Sequence, residues 1–406
     1  MAQEKAVTPL GRKKLPAIAL LPDGSQLKGV MLPRYDENRK LVGVLKAKAM
    51  TLVNDEQIAG ETVAIEFFNP DQTPRGRVDF TKAIFYQTKG LLEAKETVDI
   101  NADRLSAHGS ALHYAFEQGE GFLSGPVTTT IHALPETTMN TPRPSLRGTA
   151  MIGMSLLTQS LVAAPPPAMT AEQKAAIQND AASKSTAAAE AGTATRKELR
   201  TTIEASQAAD LAAQAFLVQA DIPAPAADVP PAANPLDIKP GANDTVITCD
   251  GGMYFDADEG VLVYMKNVKV TDPRLELTGA NELKVFFGKK PEDAAKKDKP
   301  DASKSGFGGV GANFNEVEHI VASGAVRALQ KKPAEGEAPV EASGAIFTYN
   351  VKAEQMIIYG GFPWAKKGGI VTRARTATQT LTVSKSGHLA FDGETDTILQ
   401  LDELKR

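Results

Sequence analysis

Apolar and polar residues alternate along most of this chain, and the alternation is organised in a cassette that returns at least six times. With Asp55, Gly90, Gly119, Gly260, Glu354 and Gly387 as turn markers, the residues five positions earlier are Met50, Phe85, Tyr114, Phe255, Tyr349 and Thr382. Eight positions later stand Val63, Val98, Val127, Val268, Phe362 and Thr395. Self-similarity at a period of roughly 30 residues marks a stacked repeat, in which each unit buries its apolar face against its neighbours.

The turns identify the unit. Gln87-Thr88-Lys89-Gly90 and Asp256-Ala257-Asp258-Glu259-Gly260 place Asp and Gly where a tight hairpin needs left-handed backbone. After the markers, Leu92 and Ala94, Leu262 and Tyr264, Met356 and Ile358, and Leu389 and Phe391 fall two and four residues on, so each pair shares one strand face. Gly125, Gly360 and Gly393 recur at the sixth position, and Gly324 stands in a further unit whose turn is replaced by a loop. A glycine inside a strand marks a bulge, a bend or the close approach of another backbone.

The texture changes twice. Residues 17–132 and 245–401 read as strands, whereas 133–240 is rich in Ala and Pro. Within that middle segment Thr170 with Gln173 offers a helix N-cap, and the Ala, Glu, Lys and Arg run to Ala220 favours helix, interrupted near Gly192. Proline clusters at 165–167 and 223–235 should act as semi-rigid spacers that set the segment apart. The stretch 149–164 has the basic start, apolar middle and small-residue end of a signal peptide, but its internal position favours a short packed helix.

Composition narrows the function classes. The net charge of −4 leaves no basic footprint for nucleic acid, and no run reaches the ~18 unbroken apolar residues of a membrane span. The single Cys249 rules out an intramolecular disulfide framework, and Met1-Ala2-Gln3 before charged Glu4 and Lys5 does not read as a secretion signal. His108, His113, His132, His319 and His388 are scattered without metal-ligand spacing. Asp256, Asp258 and Glu259 invite a calcium reading, yet Gly260 occupies the fifth loop position, where a ligand is required. Gly306-Phe307-Gly308-Gly309-Val310-Gly311 follows a Lys- and Asp-rich run rather than a strand, so it reads as a flexible insertion and not a phosphate loop. No nucleophile, base and orienter assemble from pattern, and neither metal nor cofactor is expected.

The segment Ile247 to Phe255, with Val263-Tyr264-Met265-Lys266-Asn267-Val268-Lys269-Val270, resembles the OstA-type repeat of the lipopolysaccharide transport family. Pro339 to Ser343, Phe347-Thr348-Tyr349 and Ile357 to Phe362 resemble the pattern a second time, and Lys46 to Met50 with Leu92 to Val98 is similar to the LptC branch. The resemblance covers both β regions and none of the middle segment. It implies an LptC-like β-jellyroll over 17–132 and an LptA/OstA-like one over 245–401, joined by the segment 133–240.

The expected protein is therefore all-β, two antiparallel hairpin-stacked β-jellyrolls with a helical connection. The resemblance implies a non-enzymatic periplasmic carrier of lipopolysaccharide. Its acyl chains would lie in an apolar trough lined by Phe255, Leu262, Tyr264, Val268, Phe347, Tyr349, Ile358 and Phe362, which fall at matching cassette offsets. Other Lpt-type envelope proteins would join by edge-strand pairing, and Thr378 to Val383 is the expected C-terminal edge. Two other classes stay open. A passive structural or adhesive envelope repeat would show its inward face filled solid, and a polysaccharide-degrading enzyme would cluster carboxylates on one exposed face.

Overall fold

The computed structural model describes residues 22–132, 197–222 and 241–400, apart from 36–38, 70, 103, 117, 221, 258, 289–315 and 332–337. The strand expected at 17–21, the 149–164 stretch, the Thr170 cap, both proline clusters and the Gly306–Gly311 loop lie outside those residues.

The all-β architecture is observed. Four long strands open the chain, β1 (Gln26–Tyr35), β2 (Leu41–Leu52), β3 (Gln57–Phe68) and β4 (Pro74–Tyr86). Six short ones follow, β5 (Leu91–Ala94), β6 (Val98–Ala102), β7 (Leu105–Gly109), β8 (Ala111–Ala115), β9 (Glu120–Ser124) and β10 (Val127–Ile131). A helix α1 over 197–219 precedes β11 (Thr245–Cys249) and β12 (Gly252–Asp256). Four more long strands come next, β13 (Val261–Thr271), β14 (Leu275–Phe287), β15 (Val317–Gln330) and β16 (Val340–Asn350). The chain closes with β17 (Gln355–Tyr359), β18 (Trp364–Lys367), β19 (Ile370–Ala374), β20 (Thr380–Val383), β21 (Leu389–Phe391) and β22 (Thr395–Leu399).

Every pairing is antiparallel, and the strands form one bent stack with two arms. Each long strand crosses the corner and serves both arms. The short strands divide the work: β5, β8, β9 and β12 pair in succession on the first arm, while β6, β7, β10 and β11 pair on the second. Beyond β16 the first arm continues as β17, β20 and β21, and the second as β18, β19 and β22.

The corner explains the recurring glycines. The backbone turns left-handed at Thr62, at Lys266 and Asn267, at Gly279, at Gly324 and at Gly360 to Phe362. Such φ values bend the strand and shift its alternation. In β3, which carries Thr62, the inward residues are Ile58 on one arm but Val63, Ile65 and Phe67 on the other. At Gly125 a side chain would run into the Asp250 backbone of the next rung. The hairpin tips follow the same logic: Gly90, Gly119, Gly260, Glu354 and Gly387, five of the six markers, all have positive φ.

Between the ranges 17–132 and 245–401 the ladder is unbroken. β9 pairs with β12, Gly252 opposite Ser124, and β10 with β11, Val127 opposite Cys249. Were the two jellyrolls apart, both would present a row of unpaired amides at this seam; pairing satisfies them. One apolar cluster accordingly runs from Leu45 through Tyr114 and Phe255 to Val383. The described strands β1 to β22 and the helix from Leu199 onward belong to one compact unit.

Helix α1 packs on the outside of the first arm. Its buried residues Leu199, Ser206, Ala209, Ala213 and Phe216 follow at steps of seven, three, four and three, the stripe of an amphipathic helix. Of these, Ala209, Ala213 and Phe216 join Ala115, Phe122, Tyr254, Val261 and Val263 in a second cluster that straddles the seam. Phe216 meets Tyr254 at 5.8 Å between ring centroids. Among the described residues no helix is long and apolar enough to cross a membrane, and no group of three or more His, Cys, Asp or Glu could hold a metal ion.

Candidate functional site

The antiparallel register aligns the inward side chains of the first arm into rows that cross the whole stack. One row links Leu52, Ile58, Phe85, Leu92 and Tyr114, passes Gly121, and continues through Phe255, Leu262, Val285, Ile320, Tyr349, Met356, Val383 and Leu389. A neighbouring row carries Tyr264, Leu283, Ala322, Phe347, Ile358, Leu381 and Phe391. These are the cassette positions, brought into line because each hairpin returns in the same register.

The structure thus brings together seven of the eight candidate lining residues. Phe255, Leu262 and Tyr349 stand in the first row, Tyr264, Phe347 and Ile358 in the second, and Val268 faces the same core from the second arm. Phe362 does not join them. The left-handed run Gly360, Gly361, Phe362 turns its side chain outward, 40% exposed, beneath the Arg373 guanidinium at 5.2 Å. Strand alternation cannot be carried through three residues of positive φ, which is why the cassette offset fails there.

Most of the interior is filled. Phe255, Leu262, Tyr264, Val268, Phe347 and Ile358 are each 1% exposed or less. Complete burial drives the Tyr264 phenol far above its usual range, and it pushes the Cys249 thiol up to about 11, which keeps that thiol unreactive. Tyr349 is different. It is half-buried and lines a cleft of about 600 Å³ where the free margins of the two arms face each other.

That cleft has an apolar floor and a polar rim. Leu275, Tyr349 and Met356 provide the floor; Arg274, Gln330, Glu354, Ser384, Lys385 and Ser386 provide the rim. Arg274 is held 3.1 Å from Asp272, and Lys385 lies 2.7 Å from Glu354. Gln330 Oε1 is buried and accepts no hydrogen bond among the described residues. Burial raises the Tyr349 phenol, against the opposing pull of Arg274. A buried acceptor beside an apolar floor suits a molecule with apolar and polar parts. A second cleft of about 640 Å³ follows the corner of the N-terminal rungs past Lys46, Lys48, Thr62 and Arg77. It is edged by the ion pairs Lys46–Glu66 and Arg77–Asp79, and none of the eight candidates lines it.

Two groups escaped the sequence. The row residues of β14 and β15, such as Leu283, Val285 and Ile320, belong to a hairpin without a turn marker, so only their alternation signals them. Ser106, His132 and Asp244 come together as nucleophile, base and orienter would: Ser106 Oγ is 2.9 Å from His132 Nε2, and His132 Nδ1 is 3.1 Å from Asp244. Ser106 is only 6% exposed in mid-sheet, and neither cleft reaches the trio. These contacts tie the end of β10 to the start of β11.

The expected C-terminal edge is corrected. Thr380 to Val383 form β20, which pairs with β17 on one side and β21 on the other, and Thr380 N–H donates to Asp392 at 2.8 Å. The chain that follows folds back as two further short strands, so among the described residues the edge strands are β21 and β22 at this end and β1 at the other.

No family model matches the chain, and no curated protein does. Among solved structures the chain is similar to LptH, described as the LptA-homologous periplasmic component of the conserved lipopolysaccharide transport device from Pseudomonas aeruginosa. Identity is 15%, the match covers 38% of this chain and 94% of that one, and the TM-score is 0.28. Likeness of that degree carries no weight for function, which has to be read from this chain's own geometry.

Proposed function

We propose that this protein is a non-enzymatic periplasmic carrier of lipopolysaccharide, whose acyl chains enter the apolar interior through the cleft at Tyr349. The observation that carries the reading is the pair of continuous apolar rows, one of which reaches a polar-rimmed cleft at the free margins of the arms. Each acyl CH₂ taken from water contributes about 0.8 kcal/mol, so a few buried methylenes suffice for capture. Entry exchanges contacts among Leu, Val, Ile and Phe side chains for contacts of the same kind with lipid. That near-balance suits a molecule that must release its cargo to the next carrier.

The free edges fit the second half of the task. Among the described residues β1 and β22 each pair on one side only, and Met31, Tyr35, Ile398 and Leu399 on them are exposed. Strand addition by envelope partners of like architecture would continue the rows from one protein into the next. A second reading, a passive envelope repeat, is favoured by the filled interior at six of the eight candidate positions. Binding of purified lipopolysaccharide separates the two. The carrier reading expects Met356→Glu, a charge on the cleft floor, to weaken binding at least tenfold with the fold intact. Absence of binding by the parent chain would establish the passive reading.

A further inference from the structure

The contact between α1 and the sheet holds a buried ionic cluster that neither the stack nor the cleft requires. Lys284 on β14 is 4% exposed and points outward into the helix. Its Nζ donates to Ser206 Oγ at 2.8 Å, to the Asp210 carboxylate at 2.7 Å and to Glu282 Oε2 at 3.2 Å. Its three protons are thereby used, and Asp210 Oδ1, buried 2.7 Å from the same Nζ, gains no donor of its own among the described residues. Two carboxylates share one ammonium. An apolar contact would hold the helix at less desolvation cost, so the cluster makes docking conditional rather than strong.

We infer that α1 is a releasable strap across the seam of the stack, held down or let go by protonation within the Lys284–Asp210–Glu282 cluster. The helix sits on β8, β9, β12 and β13, the rungs at which the N-terminal and C-terminal strands meet. Lifting it would uncover Phe122, Tyr254 and Val263 on the outer face and leave the inner rows untouched.

The groups facing Glu282 are few. From its own strand comes Lys284, from α1 come Asp210 and Ser206, and from β15 comes Ser323, whose hydroxyl donates to Glu282 at 3.4 Å. Opposite on β13 lies Met265, which is apolar. Burial first, then Asp210, raises the Glu282 carboxyl to about 7, with Lys284 opposing. A proton on Glu282 can be shared with the Asp210 carboxylate in a hydrogen bond. The sign follows. A carboxyl whose pKa is raised in the docked state binds its proton more tightly there, so this support is complete in acid and is lost as pH rises through about 7.

Hydrogen exchange on the full chain, corrected for intrinsic rates, tests the strap. Amides of residues 200–219 should lose roughly tenfold of their protection between pH 6 and pH 8, while those of β13 and β14 keep theirs. Glu282→Gln, a permanently neutral donor, should hold the helix protected and flatten its profile. Should that variant fail to fold, Asp210→Asn removes the second carboxylate and should flatten it likewise. A helix as protected as the sheet at both pH values, a helix unprotected at both, or the same slope in parent and variants would each overturn the proposal.

Discussion

Tyr114 on β8 and Phe255 on β12 stack with ring centroids 5.9 Å apart and planes within 20°, across the glycine that separates them in the row. Gly121 lies opposite both, and a Cβ there would collide with the Phe255 ring. This one contact makes the inner row continuous between strands that are more than a hundred residues apart in sequence. The missing side chain is what lets the two aromatic rings meet.

Gly121→Ala should therefore destabilise the protein by about 1–3 kcal/mol, because the Phe255 ring must move within a filled core. Adding Phe255→Leu should recover part of that loss, since the smaller side chain leaves room. A double-mutant cycle in chemical denaturation reads the coupling, and additive effects would show that the ring and the glycine do not interact.

The shared core also predicts cooperativity. Phe255→Ala removes a ring that is fully buried at the seam, which costs about 3–5 kcal/mol. Because the core cluster continues through it, N-terminal and C-terminal strands should lose stability together in one transition. Two separated transitions, with only the C-terminal one shifted, would show that the seam does not couple them.

The free edge at β22 can be tested without touching the core. Ile398 is 63% exposed, so Ile398→Lys should leave unfolding within about 0.5 kcal/mol of the parent. A charge on an edge strand opposes strand addition, and end-to-end association measured by sedimentation should fall. Unchanged association would move the joint to β1 or β21.

Much of this was legible in the sequence because it depends on neighbours. Gly260 and the alternating Leu262 and Tyr264 give turn and inward face from a few residues, and the register then places equivalent residues in rows. The apolar spacing puts Phe362 in the row, because the run of positive φ set by the corner leaves no mark on that spacing. Thr380 reads as an edge from its alternation, yet the three-residue strand β21 suffices to cover it. The cleft depends on Arg274 and Gln330 meeting Tyr349 across two margins, a tertiary adjacency that no local pattern records.

Entry of lipid at the mouth is the central claim, and site-specific photocrosslinking in cells tests it most directly. A photoreactive residue at Tyr349 or Met356 should capture lipopolysaccharide, and one at Leu262 or Val383 further along the same row should do so when cargo passes through. A photoreactive residue at Lys48, in the N-terminal cleft, should not. Capture at Tyr349 but not at Lys48 is the predicted result; folded variants that capture no lipopolysaccharide from any position of the row would contradict the account.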